Sequence, residues 1–140
     1  TTPAKAVRDL EAAVAEADIV SCATMAREPL IQGRWLRNGQ HLDLVGGFTP
    51  LMREADDLAV RRARLFVDSR EGATHEAGDI ADPLKRGVIA AEDIQADLFE
   101  LCRGDKRGRG DDNEITLFKS VGHALEDLAA AELVLERATR

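Results

Sequence analysis

Three short apolar runs, each ending in small or polar residues, constrain this chain more than any other feature. Asp18-Ile19-Val20-Ser21-Cys22-Ala23-Thr24 is rich in strand-forming residues, His41-Leu42-Asp43-Leu44-Val45 runs into Gly46-Gly47, and Arg64-Leu65-Phe66-Val67 runs into Asp68-Ser69. Runs of this length read as buried strands. Helical patterns alternate with them. Residues 5–15 place Ala6, Leu10, Ala13 and Val14 on one face with Arg8, Asp9, Glu11 and Glu16 largely opposite, and residues 56–63 have the composition of a short helix. Parallel strands need crossover connections that cover the sheet, so the pattern predicts an α/β, doubly wound parallel sheet. Ligands in such sheets sit outside the carboxyl ends of the strands. Those ends here are Cys22-Ala23-Thr24, Gly46-Gly47 and Asp68-Ser69.

Beyond Ser69 the spacing turns helical. Residues 71–77 read as one helix, and 91–101 as another, because Ile94, Leu98 and Leu101 share a face. Residues 103–113 form a charged, glycine-containing loop, and 114–118 a brief extended run. The long C-terminal helix, 121–137, aligns Val121, Leu125, Leu128, Ala131 and Leu135, with Ala129 and Ala130 beside them. Such a small-residue face packs closely on the sheet or on another subunit.

Composition narrows the partners. A net charge of −7 and a pI near 5.0 argue against a nucleic-acid or anionic-membrane surface, because neutralising phosphates needs a basic footprint. No apolar stretch approaches the roughly 20 residues that span a bilayer. Cys22 and Cys102 form no C-x-x-C pair, so neither a disulfide framework nor a zinc site is signalled, and a reducing cytoplasm fits. The start, Thr1-Thr2-Pro3, has no initiator Met, which suggests a piece of a longer protein. A small-molecule or protein partner is expected.

Each candidate residue has a purely structural alternative. Gly46-Gly47 lets backbone approach a ligand, or serves as a tight turn needing positive φ. Thr24 could meet a ligand or simply end its strand. Ser120 is placed to cap the last helix, where unpaired N–H groups would also suit a ligand. Glu71, His75 and Asp79 fall four residues apart, which suits a solvated salt-linked helix face far better than a metal cluster. His41 and His123 are isolated, and Asp68 at a strand end reads as a loop cap. Arg107-Gly108-Arg109-Gly110 follows no strand and is no dinucleotide fingerprint.

Three stretches in order carry a resemblance. They are Ala17 through Thr24 with Arg27-Glu28-Pro29; Leu44-Val45-Gly46-Gly47-Phe48-Thr49-Pro50 with Met52-Arg53-Glu54; and Glu114 through Gly122 with Glu126-Asp127. Together with Val67-Asp68-Ser69-Arg70-Glu71 and Glu76-Ala77-Gly78-Asp79, they resemble the C-terminal half of the ornithine cyclodeaminase/mu-crystallin family. The resemblance implies the second half of a Rossmann-like sheet. Residues 1–113 would complete a dinucleotide-binding domain, and 114–140 would lead back toward a dimerisation domain, in a homo-oligomer or against a missing N-terminal half. It implies NAD or NADP as cofactor, with Thr24, Val45, Gly46, Gly47, Ser120 and Gly122 around the nicotinamide and ribose, and Phe48 in the substrate pocket. The family's phosphate-binding loop and its substrate-holding Arg and Lys would lie earlier than anything present here. Cyclodeaminases and related alanine dehydrogenases carry a catalytic Asp where Phe48 stands, and phenylalanine transfers no proton. The resemblance therefore points to an NAD(P)H-dependent reductase of cyclic imino acids. Ornithine cyclodeaminase, alanine dehydrogenase, a non-catalytic crystallin-like nucleotide binder and a truncated remnant are the alternatives.

Overall fold

The alternation of inward and outward side chains builds one parallel sheet in the computed structural model, which describes residues 3–139. Its strands are β1 (Ile19–Cys22), β2 (His41–Leu44), β3 (Arg64–Val67), β4 (Ile94–Asp97) and β5 (Thr116–Lys119), in the order β1-β2-β5-β3-β4. Leu42 lies beside Val20 and Leu117, and Leu65 beside Leu117, so these side chains share one face with Cys22, Leu44 and Val67. That face forms the core with Val14 of α1 (Leu10–Glu16), Ala59 and Val60 of α2 (Asp57–Arg62), Ala73 of α3 (Arg70–His75) and Ile80 of α4 (Gly78–Lys85). The other face holds Ile19, His41, Phe66, Thr116 and Phe118, which floor an open groove bounded by Leu101 and Arg109.

Side-chain caps fix where the helices begin. Asp9, Asp56, Ser69 and Asp97 each accept an amide of the following first turn, satisfying donors that the helix leaves unpaired. Asp9 also moves the start of α1 to Leu10, later than the apolar spacing from residue 5 suggested. The expected α/β sheet, with its long C-terminal helix, is what forms.

Four expectations need correction. Residues 91–101 are not one helix: a 3-10 turn at Ala91–Asp93 leads into β4, and only then does α5 (Leu98–Arg103) begin. Ile94 and Ala96 are buried while Gln95 and Asp97 are half-buried, a period of two. The Asp97–Glu100 capping box starts the helix after the strand. Residues 18–24 are not a buried strand, because β1 is an edge strand and Ile19 is 67% exposed. Glu71 and His75 do not share a face with Asp79. The chain breaks at Glu76-Ala77, and Asp79 lies fully buried on α4, a helix that contains Pro83. Finally, Ser120 does not cap the last helix; His123 caps α6 (Ala124–Ala138). That helix buries none of its residues, so it does not pack on the sheet.

Candidate functional site

Every strand of a parallel sheet points the same way, so the loops that leave β1, β2, β5 and β3 gather at one edge. Backbone bonds carry the ladder past the strands: the Val45 amide donates to Cys22 O (2.8 Å), that of Ser120 to Leu44 O (3.0 Å) and that of Asp68 to Lys119 O (3.2 Å). Thr24, Val45, Gly46, Gly47, Phe48, Ser120 and Gly122 all lie in these loops. The sheet thus brings together residues that are far apart in sequence.

Gly46 and Gly47 are both required by their surroundings. A Cβ on Gly46 would collide with the Thr24 carbonyl and the Glu54 carboxylate. Gly47 has φ +60°, and a Cβ there would sit 2.5 Å from Asp79 Oδ2. The tight turn is therefore real, and the close approach seen is to the protein's own Thr24, Glu54 and Asp79. Among the described residues the amides of Gly47 and Phe48 donate to no protein acceptor. The loop also shows apolar surface to solvent: Val45 is 45% and Phe48 48% exposed, with Leu51 exposed further along it and Met25 exposed in the loop after β1.

Carboxylates organise the two hydroxyls. The Thr24 amide and hydroxyl donate to Glu54 Oε1 at 2.6 and 2.8 Å. Ser120 Oγ donates to Asp68 Oδ2 (3.2 Å), which also accepts the amides of Val121 (2.8 Å) and Gly122 (2.7 Å). Asp68 is thus the loop cap expected of it, and the N–H groups expected to be free for a ligand are in part consumed. Both hydroxyl protons are committed, so toward a ligand Thr24 and Ser120 can only accept. Gly122, at φ +90°, has open space where its Cβ would be.

Buried charged groups lie directly beneath, among them Asp79, expected on a solvated helix face. Glu54, Asp79 and Lys119 are each fully buried, and Arg53 nearly so. Asp79 Oδ1 accepts the amides of Glu54 (2.8 Å) and Ala55 (3.0 Å), while Lys119 Nζ donates to the carbonyls of Leu44 (3.2 Å) and Gly46. Burial pushes the Asp79 carboxyl up, against the pull of those amides and of Lys119 and Arg53. Burial also lowers Lys119, opposed first by Asp79 and then by Glu54. Cys22, buried among the same carboxylates, is pushed up to about 12. His41 stands at the far end of β2 with Nδ1 2.8 Å from Thr116 Oγ1, lowered by burial, and takes no part in this edge. No group of three or more metal-ligating side chains occurs among the described residues, and none of their helices is long and apolar enough to cross a membrane.

Glycines that admit backbone, two unpaired amides and an apolar rim at the carboxyl edge of a parallel sheet suit the flat ring and ribose of a dinucleotide. The profile of the ornithine cyclodeaminase/mu-crystallin family matches residues 2–140. The chain belongs to this family. Among its relatives, the Δ1-pyrroline-2-carboxylate reductase of Paracoccus denitrificans is 50% identical over 129 residues, which is 92% of this chain and 41% of that one. The ketimine reductase mu-crystallin of Mus musculus is 41% identical over 127 residues, 91% of this chain and 38% of its own length. The structure of Thermococcus litoralis Δ1-pyrroline-2-carboxylate reductase in complex with NADH and L-proline superposes with a TM-score of 0.88 at 46% identity, covering 95% of this chain and 41% of that one. The chain thus spans about two-fifths of the family members it matches, in keeping with the expectation of a partial match.

Proposed function

We propose that this chain supplies the nicotinamide side of the active site of an NAD(P)H-dependent reductase of cyclic imino acids. The observation that carries the reading is the chemistry of the loop after β2: Val45-Gly46-Gly47-Phe48-Thr49-Pro50-Leu51-Met52 contains no ionisable side chain. Such a loop offers shape, amide dipoles and an apolar wall, and no general base. A reduced nicotinamide, when bound, would supply the hydride for the imine carbon, while the nitrogen would take its proton from water or from a group outside this loop. Around it Gly46 and Gly47 let the ring approach the backbone, Val45 and Phe48 exclude water, and Thr24, Ser120 and Gly122 border the ribose. Phe48 walls the substrate pocket and moves no proton, which disfavours ornithine cyclodeamination and alanine dehydrogenation. The relatives named for pyrroline-2-carboxylate and ketimine reduction support the same substrate class.

In this reading residues 1–113 complete the dinucleotide domain, and 114–140 return toward a dimerisation domain. The bare face of α6 is then covered by the rest of the subunit or by a second copy. Two free cysteines, one of them exposed, fit a reducing cytoplasm. The test is product analysis on the full-length protein. Incubation with 1-pyrroline-2-carboxylate should consume NADH or NADPH and yield proline, with no ammonia from ornithine. Ammonia release from ornithine without imine reduction would overturn the reading.

A further inference from the structure

The charged cluster under the loop is closed off from solvent, yet it touches every segment of the proposed nicotinamide face. Lys119 ends β5 and bonds to carbonyls at the end of β2, with Nζ 3.8 Å from Asp79 Oδ2. Asp79 reaches from α4 to the amides of Glu54 and Ala55, and Glu54 in turn holds Thr24 at the end of β1. Gly47 rests against the Asp79 oxygen that accepts no hydrogen bond. Burying two carboxylates and two cations is costly, and apolar residues of similar volume often give a more stable core. Stability alone therefore does not account for the cluster.

We infer that Lys119, Asp79 and Glu54 form a positioning device that sets Gly46-Gly47 and Thr24 in register with one another, and that Lys119 exchanges no proton with substrate. The inference rests on the reductase reading for what that face positions. Two bonds to carbonyls and an ion pair leave Lys119 no path to a ligand. The acidic groups that act on it are Asp79 from α4, Glu54 from the loop after β2, Asp68 at the end of β3 and, from the opposite face of β2, Asp43, while Cys22 of β1 shares its face of the sheet. Arg53 shares Asp79 with it, Nε lying 3.7 Å from Oδ1, and burial lowers Lys119 against the pull of the carboxylates.

The variants Lys119→Met and Asp79→Asn in the full-length enzyme test this. The carboxamide of Asp79→Asn would keep an oxygen for the Glu54 and Ala55 amides but turn its nitrogen toward Lys119, so this variant decides the matter even if Lys119→Met fails to fold. Displacing a reacting group by about 1 Å costs roughly a hundredfold in rate, so single-turnover hydride transfer should fall by about that factor. The KM for the imine should stay within about threefold, and both limbs of the pH profile should stay in place. An unchanged rate overturns the inference, and so does loss of one pH limb, which would make Lys119 a proton donor. If the parent enzyme reduces no cyclic imine, the reductase reading falls separately. Amide exchange across residues 43–52 then decides: acceleration of roughly tenfold in Asp79→Asn upholds positioning, and parental rates overturn it.

Discussion

Cys22 and Cys102 share one chemistry and differ in where the fold puts them. Cys22 is buried beside Glu54, Asp79 and Asp43, with its thiol pushed up to about 12, whereas Cys102 is exposed on α5. Only thiolate attacks an alkylating reagent. At pH 8 the native chain should therefore incorporate one label, at Cys102, and a second only after denaturation, as peptide mass mapping would show; rapid labelling of Cys22 would mean that the β1 edge opens. At this scale the sequence is legible wherever a residue type has a restricted use. Gly46 and Gly47 stand where backbone must approach other groups, and Asp68 caps a loop as strand-end aspartates do. Glu54, Asp79 and Lys119 were illegible, because a charged side chain carries no pattern of its own and its default place is the surface. A signal did exist for Lys119. Alternation along β5 puts it on the same side as Leu117, and an inward lysine in a strand calls for a buried partner.

The missed elements were those for which two periods fit one stretch. Ile94, Leu98 and Leu101 satisfy the helical period, but Ile94 and Ala96 also satisfy the strand period, and pairing beside β3 decides between them. Helix α4 is hidden in the sequence because Gly78 and Pro83 are breakers in isolation. In the fold Gly78 sits against the carbonyls of Met52, Thr49 and Pro50, where no side chain fits. Helices α2 and α4 are joined by Asp57, Asp82, Arg53 and Arg86, with Arg86 reaching Asp57 at 2.6 Å and Asp82 at 2.8 Å. The Arg86 hydrogen bond, chiefly, draws Asp57 from 3.8 down to about 2. Its contribution is thus complete above pH 3.8 and is lost as the pH falls through 2. Both side chains are partly exposed, so water screens the pair and its contribution is small. Asp57→Asn should lower the thermal midpoint slightly at pH 7 and flatten its decline between pH 4 and 2; an acid limb as steep as the parent's would place the sensitivity elsewhere.

Taken whole, the molecule packs on one side only. Four helices cover the face of Leu42, Leu65 and Leu117, while the groove over His41, Phe66 and Phe118 stays open and α6 faces α5 only through its first turns, burying none of its residues. A lone helix of 15 residues is marginal in water. Deleting residues 130–140 should therefore move the thermal midpoint of the remaining chain by less than about 2 °C; a larger drop would show that α6 docks after all. The class of fold was visible in the sequence because the strands are short, apolar and punctuated. The bare surfaces were not, since amphipathic spacing says which face seeks cover and not what provides it. The order of strands has a further consequence. The two pairs β1–β2 and β3–β4 meet only through β5, the last of the five strands to leave the ribosome. Until residues 116–119 emerge, a nascent chain holds two half-sheets with open edges, and such edges attract chaperones or other copies. The interval between the emergence of β4 and that of β5 then sets how long the unjoined halves stay at risk.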